Sequence, residues 1–332
     1  MGRSIQINRC SLDSFEGLHQ AIQGSHVEVT QLGRGRFSGS VSHVGIGDFS
    51  LSIGSFSVGV RTQRIATDDK LVVGMLLSAS ERVTHWSFDM LPADVLVMPP
   101  NTEHDGSFRG AAAYAAIRLD LAEVTSLFSG EPRLNDPATW YMKNRYRPNS
   151  PTGLAAKRRL QQIVSGLAKQ QAGMPDEVAD FWKRSIIEAM AATIVDALPA
   201  ENRGPVPSAM RLVRSVEHYL DEAGSRPVHI SEICARFAVS RRSLHRAFDD
   251  MLGLGPVTFL RRKRLCAIHS ALRESNPATT TIGEVAMQHG FIELGRFAQY
   301  YRSLFGEYPS ETLYMSKRVS RAIERRSSLA TG

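Results

Sequence analysis

The stretch Cys234-Ala-Arg-Phe-Ala238-Val-Ser240-Arg-Arg-Ser-Leu244-His-Arg-Ala-Phe248, closed by Gly253 and Pro256, decides how the second part of this chain is read. It returns as Ala286-Met-Gln-His-Gly290-Phe-Ile-Glu293-Leu-Gly-Arg-Phe297-Ala-Gln-Tyr-Tyr301, closed by Gly306 and Pro309. Leu244 and Phe297, Phe248 and Tyr301, Gly253 and Gly306, and Pro256 and Pro309 share one offset, 53 residues. Upstream of Ser240 and Glu293 the offset is 52, because the second turn is one residue longer. Each copy reads as a short helix, a tight turn and a second helix, a unit able to lay its second helix in a DNA major groove. The repetition predicts two reading heads at a fixed spacing.

In the first copy Ile230, Ile233, Cys234 and Phe237 form an apolar stripe, and His229, a poor cap by residue type, falls at the N-cap. In the second, Thr281 and Glu284 have capping-box spacing, followed by Ile282, Val285 and Ala286. Gly290 suits the second turn; Ala238, its counterpart, would cost roughly 1 kcal/mol if a positive φ were needed there. Ser240 is a good N-cap. With Leu244 and Phe248 facing inward, Arg241, Arg242, His245 and Arg246 take the exposed arc. With Phe297, Tyr301 and Leu304 inward, Leu294, Gly295, Arg296 and Gln299 remain outside. Arginine reads guanine, glutamine suits adenine and leucine meets the thymine methyl. Arg241, Arg242, His245, Arg246, Leu294, Arg296 and Gln299 are therefore the expected base readers. Arg261, Arg262 and Lys263 on the joining helix, with Arg302, are expected at the DNA backbone, where contacts position rather than specify. Phe259, Leu265, Ile268 and Leu272 give that helix its buried stripe. The bland alternative is a helical core with solvated arginines; the doubled unit and its two Gly-x-x-Pro closures favour DNA.

Charge agrees. The chain of 332 residues carries a net +7. Residues 201–332 hold 20 Lys and Arg against 13 Asp and Glu, and residues 1–200 hold 20 of each, so the excess lies with the doubled unit. Hydrophobic content of 42% supports packed cores and excludes a disordered chain. No run of 18 apolar residues is present, so no membrane span is expected. The start has no apolar signal core, and Gln6 breaks the pattern for myristoylation at Gly2. Cys10, Cys234 and Cys266 form no CxxC, which suits a reducing cytoplasm.

Residues 1–135 read mostly as strands and turns, with apolar runs at Leu71–Leu77 and Val95–Met98 between turn residues. An all-β barrel or jelly roll is expected. Leu154, Leu160, Ile163, Val164 and Leu167, then Ile186, Ile187, Met190, Ile194 and Leu198, recur at helical spacing, with Gly173-Met-Pro175 as a break. Leu198-Pro-Ala-Glu-Asn-Arg-Gly-Pro-Val-Pro207 reads as a linker. His43, His85 and His104 stand singly with no His-x-His, so no metal or other cofactor is expected. Trp86, Phe88, Met98 and His104 are the candidates for an apolar effector pocket, although the apolar three read first as ordinary core. No nucleophilic triad or Gly-rich phosphate loop is visible.

Residues 228–315 resemble the DNA-binding domain of the AraC/XylS family of bacterial transcription regulators. Ser240, Leu244, Arg246, Phe248, Gly253, Pro256, Arg264, Leu265, Ile282, Val285, Ala286, Gly290, Phe291, Phe297, Gly306 and Pro309 match its pattern. The ending Leu304–Leu313 resembles the branch of ethanolamine-utilisation regulators. Cys234 for Ala, Ala238 for the turn Gly, Phe259 for Tyr and Gln299 for Arg depart from the pattern. The resemblance implies two helix-turn-helix units bridged by a long helix and entering successive major grooves. More weakly, Asp94-Val-Leu-Val-Met-Pro99 with His104 resembles that family's cupin-type sensing barrels.

The expected fold class is α+β. A cupin-like β-barrel sensing domain spans 1–135, a helical packing or dimerisation segment 136–198, a linker 199–207, a double helix-turn-helix domain 208–317 and a basic tail 318–332. The expected function is that of a cytoplasmic, non-enzymatic DNA-binding regulator, with activator the working label and the choice between activator and repressor left open by the sequence. Its expected partners are double-stranded DNA, an unidentified small effector, RNA polymerase if it activates, and a second copy of itself. The effector would shift a pre-existing equilibrium. The alternative is a cupin-type metal enzyme fused to a DNA-binding module.

Overall fold

A computed structural model describes residues 5–24, 27–47, 49–66, 69–86, 88–127, 131–141, 144–167, 176–199, 208–224 and 226–315. The Gly173–Pro175 break, most of the expected linker and the basic tail lie outside these. The chain divides into two compact units. The first comprises Met1–Val29 and Phe37–Pro205; the second comprises Thr30–Arg36 and Val206–Gly332. The second unit is thus assembled from two separate pieces of sequence.

The first unit is built on strands β1 (Ile5–Leu12), β2 (Glu28–Gln31), β3 (Gly39–Ile46), β4 (Phe49–Phe56), β5 (Val60–Ala66), β6 (Leu71–Ala79), β7 (Val83–His85), β8 (Phe88–Met90), β9 (Val95–Met98), β10 (Glu103–Phe108) and β11 (Ala112–Leu119). Helices α1 (Leu121–Leu127), α2 (Pro132–Asn135) and α3 (Pro137–Tyr141) follow, then β12 (Asn144–Arg147), α4 (Pro151–Leu167), α5 (Asp176–Asp196) and β13 (Leu198–Pro199). The strands form an eight-stranded sheet, β1-β3-β4-β11-β6-β9-β12-β13, and a five-stranded sheet, β2-β5-β10-β7-β8. The expected single barrel is corrected to two sheets, which meet where Phe56 packs edge-on to Phe108, ring centres 5.1 Å apart. The apolar runs explain the arrangement. Strands buried on both faces read as unbroken hydrophobic stretches. Val73 and Met75 of β6 and Val95 and Val97 of β9 share one core with Ile186, Met190 and Ile194 of α5 and Leu160 of α4.

Two local readings are also corrected. Helices α1 and α2 fall inside the stretch read as strand and turn, and β12 falls inside the stretch read as helical. Arg147 of β12 binds the fully buried Asp94, with Nη2 to Oδ2 at 2.7 Å, and Asp94 also accepts from the Leu91 N–H at 2.8 Å. A buried carboxylate needs such partners, so the Asp94 that opens the cupin-like motif is explained by anchoring rather than by chemistry.

The second unit contains α6 (Ser208–Glu222), α7 (Ile230–Arg236), α8 (Arg241–Leu252), α9 (Pro256–Glu274), α10 (Ile282–Gln288) and α11 (Leu294–Phe305). Val213, Val216, Ile233, Leu244, Phe248 and Phe259 are part of one core, and Leu32, from the early segment, joins it.

Candidate DNA-binding surface and the cavity of the first unit

Helices α7 and α8 form the first turn unit, and α10 and α11 the second. Ser240 caps α8, its Oγ accepting from the Ser243 N–H at 3.0 Å. Thr281 caps α10, its Oγ1 accepting from the Glu284 N–H at 3.3 Å. His229 proves a working cap for α7: its ring Nδ1 accepts from the Ser231 N–H at 3.3 Å and lies 2.7 Å from the Ser231 hydroxyl. Residue type alone gave no sign of that. Gly253 and Gly306 close α8 and α11 in the left-handed conformation, with φ of 68° and 73°. The two turns also match: Gly290 has φ 82° and Ala238 has φ 50°. Ala238 does adopt the conformation that favours glycine.

The inward residues are where the periodicity places them, with Leu244, Phe248, Phe297, Tyr301 and Leu304 buried. On α8, Arg241, Arg242, His245 and Arg246 are exposed. On α11, Leu294, Arg296 and Gln299 are exposed. Arg296 is held back toward its own helix start, with Nε 3.1 Å from Glu293 Oε2. Glu293 itself makes no side-chain cap bond.

The basic run on α9 is less available than its sequence suggests. Arg261 stacks on the Tyr300 ring at 4.2 Å, and Arg264 lies over Phe291 at 5.8 Å. Lys263 is ion-paired with Asp221. Arg262 donates to the Leu32 carbonyl, and burial and neighbouring arginines lower its pKa. Arg302 is exposed and donates to the Tyr308 hydroxyl at 2.5 Å. Among the expected backbone contacts, Arg262 and Lys263 are therefore engaged inside the unit.

A helix-turn-helix domain family matches residues 233–314. A XylDLEGF operon transcriptional activator of Pseudomonas putida is 28% identical over 187 residues, covering 53% of this chain and 56% of that protein. A second activator of that operon, from the same species, is 38% identical over 104 residues, covering 31% of this chain and 65% of that protein. The match thus spans little more than half the length of the first of these relatives. The AraC-like transcriptional activator CuxR has a similar structure at a TM-score of 0.41 and 16% identity, covering 78% of this chain and 94% of that one. Residues 233–314 are a helix-turn-helix domain. Within this helix-turn-helix domain the long helix α9 has 19 residues, about 28 Å at 1.5 Å per residue. It runs as a strut between the two turn units.

In the first unit, a cavity of about 80 Å³ lies within the sandwich. Met98 and His104 line it, as do His85, weighed in the sequence only as a lone histidine, and Met75, Phe108 and Tyr114, which sequence reading did not single out. Trp86 and Phe88 stand behind the lining. Trp86 packs edge-on to His104 at 5.1 Å and donates to the Glu103 carbonyl at 3.1 Å; Phe88 packs on Trp86 at 6.5 Å. Trp86 has φ 49° in the two-residue connection between β7 and β8, a turn that calls for positive φ. His85 Nδ1 and His104 Nε2 lie 2.6 Å apart. Gly106 permits this: a Cβ there would sit 2.6 Å from His85 Cε1. His43 is apart from the pair, its Nδ1 2.9 Å from the Ser52 hydroxyl. Among the described residues no three His, Cys, Asp or Glu side chains gather as a metal site. No helix among them is long and apolar enough to cross a membrane.

Proposed function

We propose that the protein is a sequence-specific transcription regulator that reads DNA with α8 and α11 and responds to a small molecule held in the first unit. The observation that carries this reading is the pair of matched helices, closed by left-handed glycines at the same offset and presenting exposed arginines near their starts. The α9 strut, about 28 Å, is commensurate with the roughly 34 Å between successive turns of a major groove. Arg241, Arg242, His245 and Arg246 read one block of bases; Leu294, Arg296 and Gln299 read the other. Arg302 and Arg261 supply backbone contacts. The relatives named as operon activators support activation as the direction of control. The protein then acts in the cytoplasm, as a dimer, with no catalytic step. The cavity lined by Met98 and His104 is the effector site.

Selection from random duplexes near physiological salt tests this. The expected result is two enriched blocks about 10 base pairs apart. Equal retention of all duplexes, with and without candidate effectors, would reduce the protein to an electrostatic DNA binder. Arg246→Ala is expected to cost about 1–3 kcal/mol and relax one base position. If every position kept its preference, Arg246 would not be a base reader.

A further inference from the structure

Among the described residues that line the cavity of the first unit there is no cation. None of its lining residues is Lys or Arg, and its polar side chains are Thr62, His85, His104 and Tyr114. Two of those are turned to backbone: Tyr114 donates to the Ala21 carbonyl at 2.7 Å and Thr62 to the Gly106 carbonyl at 3.3 Å. The imidazoles remain, stacked with ring centres 4.6 Å apart. Two ring nitrogens at hydrogen-bond distance require one to carry a hydrogen and the other a lone pair. Burial keeps His85 neutral, pulling its pKa down to about 4. Arg61 acts on His85 through space, but its charge is matched by Asp105, bonded at 2.8 Å. The site is therefore apolar and uncharged, with one polar spot.

Resting on the reading of this cavity as the effector site, we propose that it takes an uncharged, compact apolar molecule with one hydrogen-bonding group. A small alcohol or carbonyl compound fits, with its polar atom at the His85–His104 pair. The carboxylate of the same skeleton is rejected, because a buried anion without a cation or a set of donors is strongly disfavoured. The size limit follows from the volume. A cavity of about 80 Å³ is roughly half of the ~150 Å³ that accepts benzene in an engineered core. The ligand is therefore smaller than a benzene ring, a short chain of a few carbons.

The test titrates the full chain near neutral pH with matched sets: propanol, propane and propanoate, then butanol, butane and butanoate. Tryptophan fluorescence, to which Trp86 beside the cavity contributes, and thermal shift provide the readouts. Each alcohol is expected to bind roughly 100-fold more tightly than its carboxylate and about tenfold more tightly than its hydrocarbon. In His104→Phe the preference for alcohol over hydrocarbon should vanish while the hydrocarbon still binds. Should that variant not fold, the three-way comparison on the unaltered protein decides alone. Carboxylates binding as well as the alcohols would overturn the proposal and leave the cavity standing as an effector site. Hydrocarbons binding as well as alcohols would overturn the role of the histidine pair. If no member of either set binds, the cavity is not a ligand site, and the effector reading falls with the proposal.

Discussion

Ala238 and His85 each sit in an unfavourable state that the surrounding fold enforces. Ala238 occupies the left-handed region at the turn between α7 and α8, where Gly290 stands in the second unit. Ala238→Gly relieves a Cβ clash worth about 1–2 kcal/mol, partly offset by the extra freedom glycine gains when unfolded. A net gain of up to about 1 kcal/mol is expected from denaturant titration, with DNA preference unchanged; a loss of stability would refute this account of the turn. His85 is unfavourable to charge. Its folded pKa, about 4, lies below the ordinary 6.5. The unfolded chain therefore binds the proton more readily between these values. The stabilisation is whole above 6.5 and is lost as pH falls toward about 4, a change of up to about 3 kcal/mol. Denaturation midpoints of the first unit across that window should fall, and fall less in His85→Phe. Equal slopes would remove His85 from the explanation.

At the scale of elements, the doubled unit was legible because its helix ends are encoded locally. Ser240 and Thr281 cap, Gly253 and Gly306 close, and Pro256 opens α9 at its first turn. Each signal needs only its neighbours. The first unit was less legible, because which strand lies beside which depends on residues far apart. Leu71–Leu77 and Val95–Met98 read as strands, yet nothing local says that β6 pairs with both β9 and β11. Nor does the sequence say that β7 meets β10 in the register opposing His85 to Gly106, which lets His85 reach His104. Met98 and His104 of the cavity were found; His85 needed that register. One element departs from its twin. Helix α11 begins at Glu293, which makes no side-chain cap bond and instead engages Arg296. Glu293→Ser supplies a cap worth about 0.5–2 kcal/mol and releases Arg296 toward DNA. A higher melting temperature together with tighter, more salt-sensitive DNA binding is expected. Unchanged affinity would mean that Arg296 does not meet DNA.

For the molecule as a whole, the decisive fact is that the DNA-binding unit is discontinuous. Thr30–Arg36 belongs to it. Leu32 is 3% exposed in its core, the Gln31 side-chain amide donates to the Leu304 carbonyl at 2.8 Å, and the Gly35 N–H donates to that same carbonyl at 2.9 Å. Gly306 completes the fit, since a Cβ there would come within 2.8 Å of the Arg36 nitrogen. Leu32→Ala in the full chain should destabilise the DNA-binding unit by about 2–4 kcal/mol, read by hydrogen exchange in α9 and α11. Protection unchanged there would show that the segment is a passenger. Synthesis of the chain gives this arrangement a direction in time. Leu32 leaves the ribosome 230 residues before Arg262, its partner. At roughly 5–20 residues per second, the early segment waits on the order of ten seconds or more for the helices that bury it. The nascent DNA-binding unit therefore closes around a piece of chain already made.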